Sequence, residues 1–140
     1  MSRPLHPQTL AIRGGKSQTE YNEHHQALFL SSSFMFDTAA DGAALFAKTK
    51  AGYTYSRTAN PTVAAFQQRV AALEHAEAAI ATTTGMAAIQ AALLTFLSAG
   101  DHLISSQSLF GTTAGLLSGH IARFGIEISF VPPTDVQAWR

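Results

Sequence analysis

The chain has 140 residues, of which 46% are hydrophobic and only 13% charged, with zero formal net charge and no cysteine. Zero net charge provides no broad electrostatic footprint for nucleic acid or an anionic membrane surface, and the missing cysteines exclude disulfides, zinc–thiolate sites and a cysteine nucleophile. Average usage is about 25% charged residues, so this chain has little charge to coat its own surface and is expected to bury much of it against other protein.

Residues 1 to about 35 read as an arm. They hold polar runs, Gly14-Gly15 and a His24-His25 pair, then Ala27-Leu28-Phe29-Leu30 running into Ser31-Ser32-Ser33-Phe34. No stretch here keeps a helical period long enough to fold alone, so the arm is expected to order by packing on something else, such as a neighbouring subunit. The adjacent histidines point different ways and lack an evident third ligand, so no metal site is expected. The opening Met1–Pro7 lacks an apolar signal segment, and no apolar run reaches the ~20 residues that span a bilayer; the expectation is a cytoplasmic protein.

Asp37 to Lys48 reads as a short helix, with Asp37 as its cap and Lys48 at the end that favours positive charge. Lys50-Ala51-Gly52 breaks it and leads into Tyr53-Thr54-Tyr55-Ser56-Arg57-Thr58-Ala59-Asn60-Pro61-Thr62. Tyr53, Tyr55 and Arg57 are spaced by two and share a side in an extended segment. A phenol beside a guanidinium fork makes a receptor for phosphate or carboxylate, though a surface loop with a stacked tyrosine pair fits the stretch equally well. Asn60 and Pro61 then open a helix as N-cap and first helical residue. It runs to about His75, with Val63, Phe66, Val70 and Leu73 on its apolar face.

From Glu77 the character changes. Ala78 to Thr83 reads as a buried strand, Gly85-Met86 as a turn, and Ala87 to Ser98 as an apolar helix. His102 to Ser106 is a second strand, Gln107 to Gly111 a loop, and Thr112 to Phe124 a helix weakened by Gly115 and Gly119 and closed by Gly125. Ile126 to Val131 is a third strand, stopped by Pro132-Pro133. Strand–helix–strand–helix–strand implies parallel strands joined by crossover helices, an open α/β sheet. Ligands bind such sheets at the carboxyl ends of strands. The chain therefore divides into residues 1–58, an arm with a short helix, and 59–140, the start of an α/β domain. Its last residues, Thr134 to Arg140, look like a helix just beginning, and a chain cut inside a larger domain is expected.

Two loops fall at strand carboxyl ends. Thr82-Thr83-Thr84-Gly85-Met86 enters a helix whose free N–H groups and dipole favour an anion, with Thr83 or Thr84 able to add a hydroxyl. It is neither a Walker loop nor a dinucleotide fingerprint. A glycine needed for tight packing beside a threonine cap is the plainer reading. Ser106 to Gly111 presents Phe110, which could stack on a flat heterocycle or simply fill the core. No nucleophile elbow is present.

Together, Ala11-Ile12-Arg13-Gly14-Gly15, Tyr55-Ser56-Arg57 with Asn60-Pro61-Thr62, Thr84-Gly85-Met86-Ala87-Ala88-Ile89 and Ser108-Leu109-Phe110-Gly111-Thr112-Thr113 resemble the Cys/Met-metabolism family of pyridoxal phosphate (PLP) enzymes. The resemblance runs through essentially all 140 residues. It implies a fold-type I transferase, usually a tetramer of two catalytic dimers, acting on an amino-acid substrate. By analogy Tyr55 and Arg57 bind the PLP phosphate of the neighbouring subunit, the backbone of Gly85 and Met86 holds the phosphate within its own subunit, and Phe110 stacks on the pyridine ring. Many relatives carry Tyr where this chain has Phe110, which can stack but cannot move a proton. With Phe29 to Phe34 upstream, the chain looks most like the O-succinylhomoserine sulfhydrylase branch, which replaces succinate at Cγ with sulfide to make homocysteine. Cystathionine γ-synthase and the methionine or cystathionine γ-lyases are the family alternatives; a non-catalytic assembly piece is the alternative of another class. PLP chemistry needs a Schiff-base lysine. Lys16, Lys48 and Lys50 are the chain's lysines, and none sits where the family places it. That residue is expected beyond Arg140, with no turnover from this chain alone.

Overall fold

The computed structural model describes residues 5–15 and 19–140; Lys16 and the first four residues lie outside them. The chain forms two compact units, one ending at Ala81 and the other Thr82–Arg140.

The first unit holds three helices: α1 (Pro7–Arg13), α2 (Ala39–Phe46) and α3 (Pro61–Leu73). The arm thus contains a short helix of seven residues, too short to fold alone, that orders by packing on α3. Proline at its first position supplies the pre-set φ, and the His6 ring accepts from the Gln8 N–H at 3.4 Å. Helix α1 packs on α3. Gly15, in the left-handed region at φ 64, sits where an added Cβ would lie 2.5 Å from the Ala65 carbonyl oxygen. Arg69 Nε donates to the Gly14 carbonyl at 2.8 Å.

This close approach decides which face of α3 is covered. Pro61, Ala65 and Ala71 are buried, whereas Val63 and Phe66 are exposed. Of the apolar face expected from the spacing, Val70 and Leu73 are half-buried while Val63 and Phe66 stand outside; small residues let α1 approach. Asn60 caps α3 as expected, its Oδ1 accepting from the Thr62 N–H at 2.8 Å. Helix α2 is capped by Thr38 and not Asp37: Thr38 Oγ1 accepts from the Asp41 N–H at 3.0 Å while its hydroxyl donates to the Asp41 carboxylate. The reciprocal pair needs the cap three residues before the acid, which Thr38 satisfies.

The second unit carries α4 (Gly85–Phe96), β1 (His102–Ser106), α5 (Gly111–Gly115) and β2 (Glu127–Val131). The strands pair in parallel, from His102 opposite Glu127 to Ser106 opposite Val131. Leu116, Leu117, Ile121 and Ile126 form the core, with Met86, Ile89, Leu93 and Leu103 packed against it. Fully burying one such side chain stabilises by about 1.5–3 kcal/mol. Gly125 ends the helical stretch at φ 80.

Two expectations are corrected here. Ala78 to Thr83 is not a strand: it has no ladder partner among the described residues, β1 pairs with β2, and Ile80 is exposed. An apolar, β-branched run supplies propensity, but a strand exists only through its partner. The expected helix over Thr112 to Phe124 is continuous but changes pitch. After α5 comes a wider π-helical turn over Leu116–Ile121, where the Ala122 N–H reaches back five residues to the Leu117 carbonyl, then a tight 3₁₀ turn over Ala122–Phe124. The wide turn puts Leu116, Leu117 and Ile121 all in the core. Residues 132–139 form turns rather than a helix, with Asp135 Oδ1 accepting from the Gln137 and Ala138 N–H groups.

Candidate functional site

Tyr55 and Arg57 are held by a short antiparallel contact within the first unit. Ser33 bridges to Tyr55. The Phe34 N–H donates to the Thr54 carbonyl at 3.1 Å and the Ser56 N–H to the Ser32 carbonyl at 2.9 Å; the Ser56 hydroxyl donates to the Ser31 carbonyl. The chain then turns, with the Thr58 and Ala59 N–H groups both on the Tyr55 carbonyl. The turn breaks the spacing of two. Tyr53 packs on Phe34, ring centroids 5.5 Å apart, while the Arg57 guanidinium carbon lies 5.4 Å from the Tyr55 ring centroid. The tyrosines therefore do not stack as a pair. Tyr55 and Arg57 do come together, exposed, in a cation–π contact that orders the fork without neutralising it.

They share an open bowl with Lys48, whose place there the sequence reading missed. The signal was present as a lysine just past a helix end, where the backbone turns left-handed. Lys50 is committed elsewhere, its Nζ donating to Asp41 Oδ1 at 2.6 Å.

Gly85, Met86 and Phe110 belong to the second unit. Thr84 caps α4, its Oγ1 accepting from the Ala87 N–H at 3.1 Å. The cap uses only a lone pair of Thr84 Oγ1, so its O–H can still donate to an anion; the exposed Thr83 makes no hydrogen bond among the described residues. The N–H groups of Gly85 and Met86 have no acceptor among the described residues. The Met86 side chain packs against the core, which anchors this backbone. An added Cβ at Gly85 meets no heavy atom within 4 Å. Tight packing among the described residues therefore does not explain the glycine, and two N–H groups without an acceptor stand at the start of a 12-residue helix. This arrangement fits a phosphate group. An anion there gains roughly 0.3–1 kcal/mol from the helix dipole, up to ~2 in partly buried geometry.

Phe110 follows the carboxyl end of β1. Its carbonyl accepts from the Thr113 and Ala114 N–H groups at 2.9 and 3.1 Å, fixing the backbone at the start of α5. Its side chain is 79% exposed, so it is not core in this chain. Among the described residues, no three His, Asp or Glu residues group as metal ligands and no helix is long and apolar enough to cross a membrane.

The family model for "Cys/Met metabolism PLP-dependent enzyme" matches residues 8–140. An O-succinylhomoserine sulfhydrylase from Pseudomonas aeruginosa is 49% identical over 131 residues, covering 94% of this chain and 32% of that protein. An L-methionine gamma-lyase from Fusobacterium nucleatum subsp. polymorphum is 41% identical, covering 91% of this chain and 32% of that protein. A crystal structure of a Campylobacter jejuni protein described as an O-acetylhomoserine (thiol)-lyase, with N'-pyridoxyl-lysine-5'-monophosphate at its position 205, superposes with a TM-score of 0.88 at 29% identity. It covers 96% of this chain and 33% of that one. The chain spans about a third of the length of the curated relatives it matches.

Proposed function

Because the chain belongs to the Cys/Met metabolism family of PLP-dependent enzymes, we propose that it is the N-terminal part of a transferase that makes homocysteine from O-succinylhomoserine and sulfide by γ-replacement. Its fold is that of the fold-type I enzymes and its cofactor is pyridoxal 5'-phosphate. When bound, the cofactor supplies an electron sink for negative charge next to the amine carbon of the substrate.

The chain's own residues would bind and orient it. The Gly85 and Met86 N–H groups would donate to phosphate oxygens, and Phe110 would cover one face of the pyridine ring. Tyr55 and Arg57 would hold the phosphate of a neighbouring identical subunit, in catalytic dimers that pair into a tetramer. The observation that carries this reading is a glycine that packing does not require, beside two N–H groups without an acceptor at the start of α4. Phe110 brings no phenol, which favours replacement over a lyase reaction that needs a proton shuttle there. The 49% identity to a sulfhydrylase points the same way. The 41% identity to a methionine gamma-lyase keeps a γ-lyase as the second reading.

The Schiff-base lysine would lie beyond Arg140. Lys48 and Lys50 are in the unit that ends at Ala81, away in sequence from the phosphate loop, and Lys50 is paired with Asp41. The 140-residue chain alone would then not turn over substrate.

The test is to assay the polypeptide that carries this chain with O-succinylhomoserine and sulfide, then separately with methionine. Homocysteine from the first, with an absorbance band of lysine-bound cofactor, is expected. A keto acid from methionine with no homocysteine would replace this reading with a γ-lyase. No cofactor band, even with added PLP, would leave a non-catalytic assembly piece.

A further inference from the structure

The bowl beside Tyr55 has an unbalanced charge. Lys48 and Arg57 both line it, with Leu45 and Phe46 as its apolar wall, and none of its lining residues is acidic. Asp41, on the same helix α2, is already held by Lys50. Among the described residues neither Lys48 nor Arg57 makes an ion pair. Two cations facing one depression repel each other unless anions join them. A phosphate on Arg57 and Tyr55 would account for the fork. Lys48 remains.

Lys48 also stands against its own backbone. The end of α2 carries the paired bonds of a Schellman turn: the Thr49 N–H to the Ala44 carbonyl at 3.0 Å and the Lys48 N–H to the Leu45 carbonyl at 3.1 Å. This turn places Lys48 at φ 57, where glycine or asparagine is preferred and other residues carry a conformational cost. The Lys48 side chain is exposed, so burial does not offset that cost. Neither local geometry nor packing among the described residues calls for a lysine here, and its ammonium lines the same bowl as Arg57.

We propose that Lys48 is a specificity-determining residue that recognises the free carboxylate on the acyl group of the substrate. The inference rests on the homoserine-ester reading above. A succinyl ester carries such a carboxylate at the far end of a flexible chain; an acetyl ester does not. A mobile ammonium suits a mobile carboxylate, whereas the rigid Arg57 fork suits a fixed phosphate. Lys48 thereby separates dicarboxylic from monocarboxylic esters.

The experiment uses Lys48→Gly, with Lys48→Asn as a second variant that tolerates the same backbone, in the polypeptide that carries this chain. Melting temperature, PLP affinity, succinate and acetate binding, and kcat/KM on O-succinyl- and O-acetylhomoserine are measured. The variants should melt no lower than wild type. Succinate binding and kcat/KM for the succinyl ester should each fall about tenfold, equivalent to ~1.4 kcal/mol, with acetate binding, the acetyl ester and PLP affinity unchanged. Equal loss on both esters with weaker PLP binding would assign Lys48 to the phosphate and overturn the inference, as would succinate binding that does not depend on Lys48. If wild type turns over neither ester yet binds succinate through Lys48, the homoserine-ester reading has failed and the dicarboxylate site stands.

Discussion

Asn60 Nδ2 donates to the carbonyl oxygen of Phe29 at 3.0 Å, across 31 residues of sequence. The same amide donates to Ser56 Oγ at 2.9 Å, and its oxygen caps α3 at Thr62. At 8% exposure Asn60 is the buried polar residue among those described. It thus ties three things: the start of a helix, the arm strand, and the turn that presents Arg57. Asn60→Ala should cost about 1–3 kcal/mol, from the lost cap and the unpaired Phe29 carbonyl. Asn60→Asp keeps an acceptor for the Thr62 N–H but loses both donors and sets a carboxylate against a carbonyl. It should also be destabilised in urea denaturation. If Asn60→Asp proves as stable as wild type, the donated bonds contribute nothing.

Gly85→Ala separates a structural glycine from a ligand-facing one. An added Cβ has nothing to strike, and alanine loses less backbone entropy on folding, so the cofactor-free protein should gain up to about 1 kcal/mol. The methyl group would nevertheless occupy space a phosphate needs. PLP titration should show affinity falling about tenfold, ~1.4 kcal/mol. Unchanged PLP affinity would remove Gly85 from the cofactor site.

Phe110→Tyr adds a phenol at a position already exposed, so the melting temperature should hold within about 0.5 kcal/mol of stability. If replacement is favoured because no proton can move there, the variant should raise elimination relative to homocysteine formation, read as keto acid released per homocysteine made. An unchanged ratio would mean the phenol is irrelevant to the choice between the two reactions.

What could be read from residue order was largely what neighbours in sequence decide. Asn60-Pro61 announced a helix start because cap and first turn are adjacent. His102 to Ser106 was read with its observed bounds because a short β-rich run lies between Gly100-Asp101 and a serine-rich loop. Gly125 marked a left-handed end. Most of the misses depended on something distant. Ala78 to Thr83 has strand composition but no partner to pair with here. Val63 and Phe66 have the right period, yet the approach of Gly15 selects the alanine face. Thr38 outcompetes Asp37 because Asp41 is three residues on. At the candidate site, Tyr55 beside Arg57 was legible from their types, whereas Tyr53 was drawn away by Phe34, 19 residues earlier.

The Asp41–Lys50 pair gives the first unit a defined pH response. The Asp41 carboxyl is held below its ordinary 3.8, first by the hydrogen bond from Lys50 and then by that from Thr38. The Lys50 ammonium is held above its ordinary 10.5 by the same bond. A lowered carboxyl stabilises fully above its ordinary value and loses this as pH falls through the lowered one. A raised ammonium stabilises fully below its ordinary value and loses this as pH rises through the raised one. The contribution is therefore flat through neutrality. Asp41→Asn should melt lower than wild type at pH 7, and the gap should close in strong acid. Because both groups are exposed, the gap should also shrink in roughly 1 M salt. A gap independent of pH and salt would assign it to the helix cap at Thr38 and not to the ion pair.

The wide turn at Leu116–Ile121 makes chain length itself a determinant of the core. A π-helical turn is an α-helix with one residue too many. Removing Ser118 or Gly119 would let the ordinary pitch return while the residues on either side keep their bearing about the helix axis. Ile121, with no exposed surface at all, would stay in the cluster with Leu116 and Leu117. A second deletion would have no spare residue to draw on and would rotate everything after it by about 100°. This segment should therefore accept substitution and a single-residue deletion, and reject a deletion of two.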